Sequence, residues 1–107
     1  MRADKIIFVD ESLEQAFETL HEKDPLKKAL TRAIKTIKED CYCGRQVKKN
    51  LIPKILIGKY KINNLWIYNL PSSWRLLYSV TTGKELEIIA ALLDWMDHKD
   101  YERLFKF

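Results

Sequence analysis

The chain is poor in the residues that mark several function classes. Its 107 residues include two cysteines and two histidines. Cys41 and Cys43 are one residue apart, a spacing poor for a mutual disulfide, so the pair reads as reduced thiols near a helix end. A zinc site would need two further ligands nearby, and His21 and His98 are the only histidines. No apolar run approaches the ~20 residues of a membrane-spanning helix. The opening "MRADKIIFVDES" lacks the long apolar stretch of a signal peptide, so a cytoplasmic location is expected. Internal repeats and low-complexity segments are missing too.

A further absence is more specific. From residue 41 to residue 84 there is no carboxylate, against eight bases: Arg45, Lys48, Lys49, Lys54, Lys59, Lys61, Arg75 and Lys84. The net charge is +4, so the middle carries +8 and the remainder −4. Residues 1–40 hold nine acids and eight bases; residues 85–107 hold six and three. A charge run is commonly a solvated face. One this long without an acid suggests a surface for an anion, with nucleic-acid phosphate the best fit.

What is present describes one globular domain. The composition is 47% hydrophobic and 32% charged, the balance of a folded chain. A chain of this length buries roughly two-thirds of its extended surface, enough for a core without staples. "KIIFV" (5–9) reads as a strand. Asp10 caps a helix carrying Leu13, Ala16, Phe17 and Leu20 on one side. Asp24 and Pro25 start a second, with Leu26, Ala29, Leu30, Ala33, Ile34 and Ile37 in its stripe. The two should form an antiparallel hairpin. Gly44 is expected to stop the second helix. Residues 45–62 read as irregular, with "PKILI" a short strand. Residues 65–69 and 74–80 form a hairpin around "LPSS". "LEIIAALLDW" (86–95) is a strand covered on both faces, and Asp97 caps a last helix, "HKDYERLF". The expected fold class is α+β: a small antiparallel-rich sheet with an N-terminal helical hairpin on one face and a short C-terminal helix.

One residue in the hairpin is out of place. Arg75 interrupts "WRLLYSV" between a tryptophan and two leucines. This strand, after its short turn, resembles the RelE/ParE superfamily of toxins from type II toxin–antitoxin systems, the RelE-like branch above all. The ending "HKDYERLF" after an apolar strand, and the order of elements along nearly all of the chain, carry the same resemblance. It implies a toxin that cleaves messenger RNA, on the ribosome as a rule and without a metal or other cofactor. A cognate antitoxin protein would bind and block it. The ParE branch inhibits DNA gyrase instead, and a third alternative is a non-catalytic relative that binds RNA or only the antitoxin.

Metal-free RNA cleavage uses the adjacent 2′-hydroxyl as nucleophile, with a base, an acid and cations around the phosphorane. Alternation puts Arg75, Leu77 and Ser79 on one face of their strand. A guanidinium there can hold a phosphate in its planar fork, or else pair with Asp94 or Asp97. By the resemblance, Tyr101 occupies the place of a functional tyrosine, stacking on a base or moving a proton. His98 can serve as general acid or base, since imidazole titrates near neutrality. Arg75, His98 and Tyr101 are thus expected to meet in one basic cleft. Lys48, Lys49, Lys54, Lys59 and Lys61 would hold backbone phosphates. The chain departs from the family pattern at Trp66 and Tyr68, which stand where some RNA-cleaving relatives carry lysines, and near Trp95, where an arginine is expected. Lys54, Lys59 or Lys61 would then approach from the loop, or His98 would take the proton, or cleavage is lost. Trp66 and Tyr68 would stack on bases, or pack in the core or against the antitoxin.

Overall fold

The structure is a computed structural model that describes residues 1–106. It is α+β, with a five-stranded mixed sheet and four α-helices. β1 (Lys5–Phe8), α1 (Glu11–Thr19) and α2 (Pro25–Glu39) come first, followed by the short β2 (Arg45–Gln46) and α3 (Lys54–Tyr60). Then come β3 (Trp66–Asn69), β4 (Arg75–Thr82), β5 (Ile88–Met96) and α4 (His98–Phe105). The sheet order is β1-β5-β4-β3-β2, with β1 parallel to β5 and the other pairings antiparallel.

Three helices start where a short polar side chain can take up an orphan N–H. Asp10 accepts from Leu13 N, Asp24 from Leu26 N, and Asp97 from Asp100 N. Two expectations are corrected. "PKILI" belongs to α3, not to a strand: Leu56 is buried while Ile55 and Ile57 are exposed, so only one side of the segment meets the core. Gly44 does not end α2, which stops at Glu39 with Asp40 as its cap. Gly44 is needed for close approach instead. A Cβ there would lie 2.7 Å from the Tyr78 hydroxyl and 2.8 Å from the Ile67 carbonyl oxygen.

The sheet separates two cores. On one face Leu30, Ala33 and Ile37 of α2 pack with Leu76, Tyr78, Ala90 and Leu92, and Leu13 and Phe17 of α1 close the layer. Both helices therefore cover the same face of the sheet. On the other face Leu56 of α3 and Tyr101 of α4 pack with Leu65, Ile67, Leu77 and Leu93. Each fully buried aliphatic side chain contributes about 1.5–3 kcal/mol, so both layers matter to stability.

Leu92 and Leu93 are both buried, on opposite faces, and an irregularity follows. Leu77 pairs with Asp94 but Tyr78 pairs with Leu92, so β5 has one extra residue there. The bulge puts Asp94 and Met96 on the face of Leu77 and Arg75. It also explains why the run reads as continuous rather than alternating.

Candidate phosphate-binding site

The start of β4, the end of β5 and the first turns of α4 meet at one end of the sheet, because Arg75 pairs with Met96, two residues before His98. Short β2 pairs with β3, and Arg45, opposite Ile67, takes the same face as Leu77 and Arg75. Tyr101 is the hub. Its ring is buried, its hydroxyl oxygen accepts a 2.8 Å hydrogen bond from Arg45 Nη2, and Arg75 Cζ lies 5.3 Å from the ring centroid. Such cation–π contacts hold a guanidinium over a ring without neutralising it.

Neither arginine has a carboxylate partner among the described residues. The alternative of an Arg75 ion pair with Asp94 or Asp97 is therefore not realised. Arg75 Nη1 donates to its neighbouring carbonyl, Trp74 O, at 3.2 Å. Asp94 Oδ1 accepts from Trp95 N and Asp97 caps α4. Two permanent cations thus share one tyrosine, Arg45 exposed and Arg75 half-buried. Beside them a groove of ≈ 400 Å³ is lined by Arg45, Lys48, Leu51, Tyr101 and Phe105. Arg75 reaches the Tyr101 ring but is not among the residues that line this groove. A groove with one guanidinium fork, a lysine and an apolar wall suits a phosphodiester with its attached base.

The other candidate residues are placed as follows. His98 is exposed at the first position of α4, and its Nε2 pairs with Glu102 one turn on. It shares the end of the sheet with Arg75 but lines a different depression from the Arg45–Tyr101 groove. Lys48 borders that groove, and Lys49 is exposed in the following turn. Lys54 lies in a separate groove between α3 and α4, near Asp94 and Asp100. Lys59 lines a cleft with Asp10 and Asp94; hydrogen bonding to Tyr60, followed by the charges of Tyr60 and these carboxylates, raises its pKa. Lys61 is exposed in a left-handed conformation at the end of α3.

Trp66 and Tyr68 pair across the strands with Tyr78 and Leu76, and so lie on the face covered by α1 and α2, opposite Arg75. Trp66 is stacked between Tyr42, 5.0 Å away, and Tyr78, 6.3 Å away. Both are half-buried against that core. The structure thus brings Arg75 and Tyr101 together, sets His98 nearby, and leaves Trp66, Tyr68, Lys54, Lys59 and Lys61 elsewhere. Arg45 is the site residue that sequence reasoning missed. Its only signal was membership of the acid-free segment, because its partner Tyr101 is 56 residues away.

Burial raises the pKa of Asp94, with the bond from Trp95 N and the Lys59 charge working against it. Burial likewise raises both thiols, and both cysteines are free, Cys41 buried and Cys43 exposed. Among the described residues no cluster of three His, Cys, Asp or Glu side chains is placed to hold a metal ion. No helix there is long and apolar enough to cross a membrane. Comparison with family models, with curated proteins and with solved structures found no match.

Proposed function

We propose that the chain is a RelE-like toxin that cleaves messenger RNA without a metal, on the ribosome, and is held inactive by a cognate antitoxin. The observation that supports this reading is the meeting of Arg45 and Arg75 on Tyr101, two cations without a carboxylate partner among the described residues. In the reaction a 2′-oxygen attacks the adjacent phosphorus and the 5′-oxygen leaves. The products carry a 2′,3′-cyclic phosphate and a 5′-hydroxyl. Arg45 and Arg75 stabilise the charge that builds on the phosphorane oxygens, where fixed donors count most. Lys48 holds a neighbouring phosphate, and His98 takes up or returns the proton. The buried ring of Tyr101 keeps the two guanidinium groups in register.

A second reading has its own support. His98 faces solvent with Glu102, so the groove holds cations with no imidazole among its lining residues. A non-catalytic RNA binder would need no more than this.

The test is incubation of purified protein with free RNA in the presence of chelator, and with ribosomes on message in magnesium buffer, followed by analysis of product ends. Cleavage leaving cyclic phosphate, and lost when the scissile nucleotide is 2′-deoxy, is the expected result. Arg75→Ala and Arg45→Ala should each lower the rate by about 10²-fold or more, and His98→Gln by about 10²–10⁴-fold. RNA binding without cleavage favours the second reading. Inhibition of DNA supercoiling with RNA left intact would move the assignment to gyrase.

A further inference from the structure

The first 40 residues look nearly neutral in sequence, but the fold sorts their charges. Glu11, Glu14 and Glu18 lie on α1, whereas α2 carries Lys27, Lys28, Arg32, Lys35 and Lys38 with no acid before Glu39. Lys27 is structural: its Nζ donates to Phe17 O at 2.6 Å and sits 3.8 Å over the Phe17 ring. Lys28, Arg32 and Lys35 are exposed, follow one another at intervals of four and three residues, and have no ion pair among the described residues. At the rise of an α-helix they spread three cations over about 10 Å. With Thr31 they line a shallow depression of ≈ 590 Å³, which Glu22 borders. Asp24 and Glu39 stand at the two ends of the helix, Asp24 committed to its cap.

We infer that this face of α2 is a second contact for RNA phosphate, reached by a folded RNA and not by a short single strand. The inference rests on the RNA-directed reading above and names the class of RNA. α2 covers one face of the sheet, while the Arg45–Tyr101 groove belongs to the other. A few nucleotides in the groove cannot reach around the sheet, but a folded RNA can meet both surfaces. The chemistry of the stripe narrows the partner. The apolar residues of α2 are turned inward, and none is among the exposed large hydrophobic residues. A protein interface wants an apolar centre and an interfacial membrane helix wants apolar side chains to insert. Backbone phosphate needs only the cations.

The test compares the triple variant Lys28→Gln, Arg32→Gln, Lys35→Gln with wild type. A control carries Lys5→Gln, Lys84→Gln and Lys99→Gln, removing the same charge elsewhere. Two 2′-O-methyl RNAs resist cleavage and serve as probes, a hairpin-rich RNA and a single-stranded hexamer. Three lost phosphate contacts should reduce the salt slope for the folded RNA by about 2–3, so that between 50 and 200 mM salt wild-type affinity falls roughly 40-fold further than the variant's. Hexamer binding should be unchanged, and the control should keep the wild-type slope. An unaltered slope in the α2 variant would overturn the inference, as would an equal loss in the control or an equal loss for the hexamer. Failure of the groove reading looks different: the hexamer would not bind, or its binding would ignore Arg45→Ala and Arg75→Ala.

Discussion

Replacing Tyr78 by phenylalanine removes one oxygen from a ring that is fully buried on β4. That oxygen donates to Cys41 O at 2.9 Å and accepts from Gly44 N at 3.0 Å. Both partners lie in the link from α2 to β2, so the hydroxyl pins the segment that delivers Arg45. The bond to the Cys41 carbonyl is buried, and leaving that group unpaired costs about 1–3 kcal/mol. The Gly44 bond is partly buried, water can replace part of it, and its loss costs about 0.5 kcal/mol. One oxygen leaves almost no cavity. The sum is about 2 kcal/mol, a large share of the roughly 5–15 kcal/mol that holds a domain folded. Urea unfolding followed by tryptophan fluorescence measures it, with Trp66 stacked on the mutated ring as a reporter. At an m-value of about 1.5 kcal/mol/M the midpoint should fall by about 1.3 M with m unchanged. A loss under about 0.5 kcal/mol would refute the reasoning, since it would mean that the link is held by something other than this hydroxyl.

Two further outcomes follow from charged and polar groups. The pKa of Asp94 is raised in the folded protein by burial, so the native state binds the proton more tightly than the unfolded chain. Stability contributed by the protonated form is therefore present at low pH and lost as pH rises through the raised value. Asp94→Asn, which keeps the acceptor for Trp95 N, should be at least as stable as wild type at pH 7, and any advantage should shrink to nothing below the ordinary Asp range. A variant destabilised at pH 7 in urea titrations would contradict this. Tyr101→Phe keeps the ring beneath Arg75 and deletes the acceptor for Arg45. RNA cleavage should fall about tenfold, less than for Arg75→Ala, and a rate equal to wild type would remove Tyr101 from the positioning of Arg45.

The local rules carried the helices and the long strands. Asp10, Asp24–Pro25 and Asp97 each sit where a short polar cap precedes an apolar stripe, and each opens a helix. The hairpin around "LPSS" formed because alternation on both sides required a turn there, and Leu70 N donates to Trp74 O across it. Residues 45–62 were harder. "PKILI" has β-branched residues and no strong helix signal, and its helical state depends on Leu56 meeting the second core. Gly44 looked like a helix stop, but its reason lies in Tyr78, 34 residues away. Long-range partners of this kind leave no trace in a local pattern.

Site assignment turned on which face each strand residue takes. Parity placed Arg75 and Leu77 together and Leu76 and Tyr78 opposite, as the two cores show. The same parity, carried across the β3–β4 register, sends Trp66 and Tyr68 to the face of Tyr78, where Trp66 stacks on Tyr78 and Tyr68 packs at the edge of the core. Positions aligned along two strands therefore need not share a substrate. On β5 simple alternation fails, because the extra residue near Leu93 reverses the parity beyond it. Without the bulge Asp94 would lie on the other face, opposite the one that Leu77 and Arg75 take. The acid-free segment is likewise divided by the fold: Arg45, Lys48 and Arg75 gather around Tyr101, while Lys54 and Lys59 share clefts with Asp94 of β5, Asp100 of α4 and Asp10, the cap of α1. A charge count along the chain measures neither arrangement. An anion is drawn to the place where cations meet with no carboxylate partner, and among the described residues on this face of the sheet that place is beside Tyr101.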